Sequence, residues 1–422
     1  MEINWKKNTA LFLGGQALSL FGTLVVQYAI FWHITLKSQS GTMMTLFAIA
    51  GHLPMFFISP FAGVWADRYN RKYIINIADS VIAFFSLVVA VLLMRGIDNY
   101  AILLFCALVR SLGQGAQMPA VGAFIPQIVP EEHLTRINGF QSSIMSFATL
   151  ASPMTGAALM TVAPLEALFF LDVATAAIGI CIVFFFVKVP PRNLVPTRNL
   201  VPEGNPRPLP PAQRSADYFH DLREGVRYIG KLGFLLRMIL VAAIFQFLFS
   251  PVAFLTPLQV TRNFGQDVWR LSAIEIVFSA GMIAGGILIG VWGGFKNRVI
   301  TLAAACFMCG FLAAVLGVTG NFWIYLGIMA LLGVTNPMFN TPAMVIVQTT
   351  VDPAYLGRVM SVFTMSSGVM MPLGMVLFGP LADLVSINGI LIVTGVLASL
   401  LFIPMLASRT LREAGERREL RP

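Results

Sequence analysis

Charge is scarce in this chain. Asp, Glu, Lys and Arg make up 11% of its 422 residues, against about 25% in a soluble globular protein. That deficit excludes a large water-soluble domain as the main body. Cysteine is rarer still: Cys106, Cys181, Cys306 and Cys309 all lie in apolar stretches. Cys306 and Cys309 share a helix face, but no second ligand pair accompanies them. The thiols read as buried and inert, and no metal site is expected. The chain lacks the GxxxxGK[ST] loop of a nucleotide-driven pump, the HExxH of a zinc protease and the GxSxG elbow of a hydrolase. It also lacks the alternation of membrane β-strands, about ten residues each. We therefore expect no enzyme, no cofactor and no ATP-driven step.

Apolar residues fill the space that charge leaves, at 57%. Runs of about 20 residues, each long enough to cross a bilayer, recur along the chain. About twelve spans are predicted, near 9–36, 42–65, 73–95, 99–120, 138–163, 165–188, 235–260, 270–293, 298–319, 322–348, 358–384 and 387–408. The first is too long for a signal-peptide core and is expected to stay. The fold class is thus an all-α membrane protein. The domains are a six-helix bundle over 1–188, a linker over 189–232, a second bundle over 233–408 and a tail over 409–422. The linker carries a tandem copy, RNLVPTRNLVP, and many prolines, so it reads as an extended spacer. Behind it, Phe219, Leu222, Val226 and Ile229 at helical spacing, flanked by Arg223, Arg227 and Lys231, predict an amphipathic helix on the membrane surface.

The net charge of +9 sets topology rather than nucleic-acid binding. With the N-terminus inside, the outer loops hold only Lys37, Arg95, Arg262 and Arg270 among the basic residues. The positive-inside rule then places both termini in the cytoplasm.

One charged hairpin is written twice. Residues 63–72 read GVWADRYNRK, and residues 290–299 read GVWGGFKNRV, 227 positions later. Leu134 with Leu356 and Arg136 with Arg358 repeat at an offset of 222. Two six-span halves of the same orientation account for both offsets, as in many transporters. Yet Asp67 has become Gly294 in the second copy. In the first, Asp67 is placed to pair with Arg71 or Arg136 and to approach the start of span eleven, near Leu356 to Val359, where a helix N-terminus favours an anion. It either latches the inner side in this way or caps local backbone.

Ionisable residues inside spans are costly and need partners or water. Arg110 in span four is expected to line a coupling or substrate cavity, or to form a buried pair. Asp79, Asp172 and Glu275 are candidate proton carriers, with Glu275 favoured as the coupling acid. His52 and Gln246 are further cavity candidates, each open to a plain interhelical hydrogen bond instead.

These residues resemble the major facilitator superfamily. Gly63, Asp67, Arg68, Asn70, Arg71 and Lys72 match its loop signature, and Arg110 followed by Gly113 and Gly115 matches its span-four signature. The antiporter motif of span five is partial: Pro153 and Gly156 are present, but Ser152 stands where the first glycine belongs. Within the superfamily, VPEEHLTRINGFQ, IEIVFSAGMIAGGILIG and YLGRVMSVF are similar to bacterial macrolide-efflux-type proton antiporters. The resemblance implies two pseudo-symmetric halves and gating by Gly63, Asp67, Arg68, Arg71, Lys72, Arg136 and Arg358. It also implies a monomer in the bacterial inner membrane that exchanges small hydrophobic or amphipathic substrates for protons. Export of a natural metabolite such as a siderophore or lipid stays open, as does, more remotely, a membrane sensor or enzyme.

Overall fold

Asparagine starts the helices. Asn4, Asn70, Asn99, Asn297 and Asn321 each stand just ahead of a helix, and each side-chain oxygen accepts a backbone N–H of the first turn. Asn70 accepts from Lys72 at 3.1 Å and Asn297 from Val299 at 2.9 Å. These are the two asparagines that share a frame in the repeated hairpin. The repeat therefore preserves an N-cap, whose removal costs about 1 kcal/mol.

The computed structural model describes residues 4–189, 227–230 and 232–416, without the side chains of residues 60, 67, 131, 135, 353, 354, 356–358, 361, 364, 365 and 367. In chain order the long helices are α1 (Trp5–Ser38), α2 (Gly41–Arg68), α3 (Arg71–Met94), α4 (Tyr100–Ile128), α5 (Leu134–Val162), α6 (Leu165–Cys181, extended by a π turn over Ile182–Phe186), α7 (Gly233–Asn263), α8 (Val268–Trp292), α9 (Arg298–Val318), α10 (Phe322–Thr350), α11 (Pro353–Leu384) and α12 (Ile387–Leu400). Short helices α13 (Phe402–Ala407) and α14 (Arg409–Gly415) follow. No strand occurs among the described residues. Among the described residues, eleven stretches are long and apolar enough to cross a membrane, and Gly368–Leu384 of α11 is a shorter apolar helix.

Several helices outrun the predicted spans. Span four was expected to end at residue 120, but α4 runs to Ile128 through Pro119 and Pro126. Prolines that would stop a soluble helix are tolerated where neighbouring helices re-satisfy the freed carbonyls. Asp67 and Arg68 belong to the last turn of α2 rather than to a loop. Asp79, Asp172 and Glu275 accordingly sit about two turns inside α3, α6 and α8. Residues 409–415, expected as part of a tail, form α14. Leu411 is buried there, and Asn297 Nδ2 donates to the Arg412 carbonyl at 2.8 Å.

The chain divides into two compact units. The first comprises Met1–Gln39, Met43–Leu200 and Gln266–Ile276; the second comprises Ser40–Thr42, Val201–Gly265 and Val277–Pro422. In the first, Val25, Ile30, Phe47, Leu103 and Phe169 form one buried cluster, and Phe12, Ile75, Phe124 and Val183 another. In the second, Leu235, Met238, Val299, Ile346 and Val347 are packed together. Gly281 and Gly285 of α8 lie directly on the α10 backbone at Ala330 and Val334, where a Cβ would not fit. The predicted amphipathic helix falls largely outside the described residues. At its described end, Ile229 is buried and Tyr228 stacks on Tyr355 with centroids 4.4 Å apart.

The second hairpin copy gives a physical reason for its missing acid. There α8 stops at Trp292, and Gly293 and Gly294 follow with φ of 71° and 77°. Side-chain-bearing residues avoid that region. A Cβ on Gly294 would also meet Thr301 Oγ1 at 2.7 Å, the atom that accepts from the Phe295 N–H at 2.9 Å. An aspartate fits on the continuing helix at position 67 and not in the glycine turn at 294. Gly294→Asp is expected to destabilise the second unit by about 1–3 kcal/mol, read as a lowered thermal midpoint in detergent. Gly290→Ala, at a site with open space, should leave the midpoint unchanged.

Candidate functional site

The first unit seals a charge pair in its interior. Arg110 on α4 and Asp172 on α6 are both 0% exposed, and the Arg110 guanidinium donates to Asp172 Oδ2 at 2.5 Å. The same nitrogen reaches Ser86 Oγ at 2.6 Å, and the other terminal nitrogen donates to the Thr23 carbonyl at 2.9 Å. Ser86 Oγ and Thr23 Oγ1 donate to the two Asp172 oxygens at 2.8 and 3.3 Å. Four helices, α1, α3, α4 and α6, thus meet on one ion pair. The two charges neutralise each other and the hydroxyls add donors to the carboxylate, as a buried pair needs, while Arg110 Nε is left without a hydrogen-bond partner among the described residues.

Asp79 has a different environment. It is 4% exposed and accepts from Ser19 Oγ at 3.0 Å, Gln117 Nε2 at 2.9 Å and Gln16 Nε2 at 3.4 Å. Every donor in that cage is neutral, and no cation of the described residues pairs with it. Glu275 on α8 is half-buried and has neither a hydrogen bond nor an ion pair among the described residues; Tyr28 of α1 lies within its electrostatic reach. The three acids that looked alike in sequence are therefore distinct: one is neutralised by arginine, one is solvated by amides and a hydroxyl, and one is unpartnered.

The remaining candidates spread through both units. His52 Nδ1 lies 3.1 Å from the Ala48 carbonyl, one turn back on α2. Gln246 is half-buried in the second unit without a hydrogen-bond partner among the described residues. Pro153 offers its carbonyl to Ser272 Oγ at 3.1 Å, and a Cβ added at Gly156 would come only into ordinary contact with Val25 and Trp32. In the hairpin, Arg71 binds the Ala66 carbonyl through Nε at 3.0 Å and the Ala123 carbonyl at 2.8 Å, fastening the ends of α2 and α4. Lys72 Nζ donates to the Val187 carbonyl at 2.7 Å, Arg136 lies over the Phe140 ring, and Arg68 is exposed. Nothing fills the space where a Cβ on Gly63 would sit. The side chains of Asp67 and Arg358 are outside the described residues, so the expected inner latch is too. Cys181 departs from expectation: it is exposed on α6, while the other three thiols are buried. No metal-ligand cluster occurs among the described residues.

Two features were not anticipated. Asp98, in the α3–α4 loop, joins Lys37 Nζ at 2.5 Å and His33 Nε2 at 3.1 Å. Partial burial works against the charged form of Asp98, but the Lys37 hydrogen bond and the His33 charge outweigh it and hold the carboxyl below its usual range. Within the second unit, Asp383 near the end of α11 accepts the backbone N–H groups of Gly41 and Thr42 at 2.7 and 2.9 Å. It also accepts the hydroxyls of Ser40 and Thr42 at 2.8 and 2.7 Å. An acid on the first N–H groups of α2 is a favourable anion–dipole contact. An acid at the end of a span looks ordinary in sequence; only these donors, joined by Arg262 Nη2 at 3.5 Å, mark it.

The profile of the Major Facilitator Superfamily matches residues 9–375 and 274–421. The chain belongs to the Major Facilitator Superfamily. Among curated proteins it is similar to Macrolide efflux protein A of Streptococcus pyogenes, 28% identical over 396 residues, with 93% of this chain and 94% of the relative covered. It is also similar to the Multidrug efflux pump Tap of Mycobacterium bovis, at 22% identity over 395 residues with 88% and 87% covered. In fold, this superfamily member resembles an inward-facing bacterial homologue of the human lysosomal transporter Spinster. The TM-score is 0.67 at 16% identity, covering 99% of this chain and all of the other. Its two units of membrane-spanning helices are those of a superfamily transporter, and it is not an enzyme.

Proposed function

We propose that this transporter exports hydrophobic or amphipathic small molecules, macrolides among them, in exchange for protons. Both termini face the cytoplasm, and the cycle runs by alternating access with the proton gradient as its energy source. The substrate class rests on the likeness to macrolide and multidrug efflux proteins along most of the chain.

The observation that carries the proton half of the reading is Glu275, a membrane-embedded carboxylate with no cationic partner among the described residues. An unpaired carboxylate inside a membrane protein must be neutralised, hydrated or paired at each stage of a cycle. A proton that binds in one orientation and leaves in the other meets that requirement. Asp172 is less suited, because Arg110 already neutralises it. Asp79, in its neutral cage, is the second candidate.

The reading is tested with inside-out vesicles in which the lumen is made acidic. Accumulation of erythromycin or an amphipathic dye should follow the pH gradient and collapse on addition of a protonophore. Accumulation that persists without the gradient would refute it.

A further inference from the structure

The end of α2 is written again at the end of α11. Residues 63–67 read GVWAD and residues 379–383 read GPLAD. Gly, Ala and Asp keep their spacing, and each acid is the next-to-last residue of its helix, before Arg68 in α2 and before Leu384 in α11. The two copies lie 316 positions apart, so the repeat of the two halves does not produce them. In the orientation set by the basic loops, α2 ends on the inner side and α11 on the outer side.

Asp383 grips the residues that open α2. Its Oδ1 accepts from the Gly41 N–H at 2.7 Å. Its Oδ2 accepts from the Thr42 N–H at 2.9 Å, Thr42 Oγ1 at 2.7 Å and Ser40 Oγ at 2.8 Å. Ser40–Thr42 group with the second unit, whereas α1 and α2 beyond Thr42 group with the first. The helix start can come this close because Gly41 has no Cβ; one would collide with the Gly379 carbonyl.

This contact is built to open. The Asp383 and Arg262 side chains are 27% and 33% exposed, so water can replace the donors as they leave. Arg262 Nη2 lies 3.5 Å from Asp383 Oδ1, and Nη1 holds the Ala382 carbonyl at 2.8 Å. The carboxylate therefore keeps a cation beside it when α2 withdraws, and the charge is not stranded. Gly41 lies against backbone at Gly379, so no side chains interdigitate there and separation needs no repacking.

We infer that Asp383 is an outer latch. It holds the start of α2 by charge-assisted hydrogen bonds while the outer side is shut, and yields it to solvent, with Arg262 left as its cation, when that side opens. The inference rests on the alternating-access reading above, and not on the identity of the substrate or on proton coupling.

Reversible crosslinking tests it. In a Cys181→Ser background, which removes the exposed native thiol, Thr42→Cys with Asp383→Cys puts two thiols where hydroxyl and carboxylate now meet. Whole cells are treated with a short bis-methanethiosulfonate, and accumulation of an amphipathic dye is then followed in inside-out vesicles. The uncrosslinked pair should transport, since the open state needs no latch. The crosslinked pair should keep less than about a tenth of that rate, as when a gating motion is blocked, and regain it on reduction. Undiminished transport after crosslinking would show a permanent anchor and overturn the latch. A pair that folds but is inactive before crosslinking would overturn it too. Hydrogen exchange gives a second reading that needs neither the cysteine pair nor a substrate. In the wild type the Gly41 and Thr42 amides should exchange together and ahead of the body of α2. In Asp383→Asn they should exchange about tenfold faster again, as the loss of hydrogen bonds to a charged group requires. Protection equal to that of the α2 body, or unchanged in Asp383→Asn, would overturn the latch. Failure of the Cys181→Ser parent to accumulate dye would count against the transport reading instead, and the exchange result would still decide the latch.

Discussion

Arg110→Ala is expected to destabilise the first unit by about 3–5 kcal/mol, the cost of leaving one member of a buried ion pair without its partner. Asp172 would keep two hydroxyl donors and lose its cation, and it has no access to water where it lies. Arg110→Lys should not rescue it. The two terminal guanidinium nitrogens reach Ser86, Asp172 and the Thr23 carbonyl at once, and a lysine supplies one nitrogen on a different stem. The double variant Arg110→Leu with Asp172→Leu removes both charges and should recover most of the lost stability, since hydrophobic replacement of a buried pair is often neutral or better. Denaturation in mild detergent, followed by near-ultraviolet circular dichroism, reads all three. If Arg110→Ala unfolds at the wild-type midpoint, the pair does not hold the four helices together. Should the double variant fold and transport, the pair is structural; should it fold and fail to transport, the pair also serves the cycle.

Glu275→Gln carries the second large effect. The substitution fixes the neutral form at nearly the same size, so packing should survive. Proton binding and substrate release are linked by a coupling free energy, typically about 1–3 kcal/mol or roughly 5–150-fold in affinity. With no titrating group at 275, that linkage vanishes. The variant should bind substrate and exchange it down its own gradient, yet fail to accumulate it against one. Asp79→Asn is the parallel case. Ser19, Gln16 and Gln117 all donate to Asp79, so an asparagine amide would face donors on every side, and we expect lost stability alongside any loss of coupling. Counterflow and uphill uptake, measured on the same vesicles, separate the two behaviours. Uphill uptake by Glu275→Gln at the wild-type level would move the coupling role to another acid.

How much of this was legible in the sequence follows the range of the interaction involved. The helices were readable because each is a continuous apolar run, a local property. Their ends were less so. Span four was read as ending near residue 120 although α4 runs on to Ile128, and Asp67 with Arg68 looked like loop, because the compensating contacts come from other helices. Asn70 and Asn297 share a frame in the repeat and have the side chain that caps helices; that pairing was the available signal for their role. Arg110 was marked as needing a partner, but Asp172 is 62 positions away on another helix, and nothing local distinguishes it from Asp79.

The central claim is that outward movement of substrate is tied to inward movement of protons. It is tested most directly by a pH-sensitive dye sealed inside proteoliposomes that contain the wild-type protein, or Glu275→Gln, or no protein. With no imposed gradient, an amphipathic substrate presented to one side should change luminal pH in the sense opposite to substrate movement. That signal should be absent from both the variant and the empty vesicles. Substrate flux through the wild-type protein with no change in luminal pH would contradict the account.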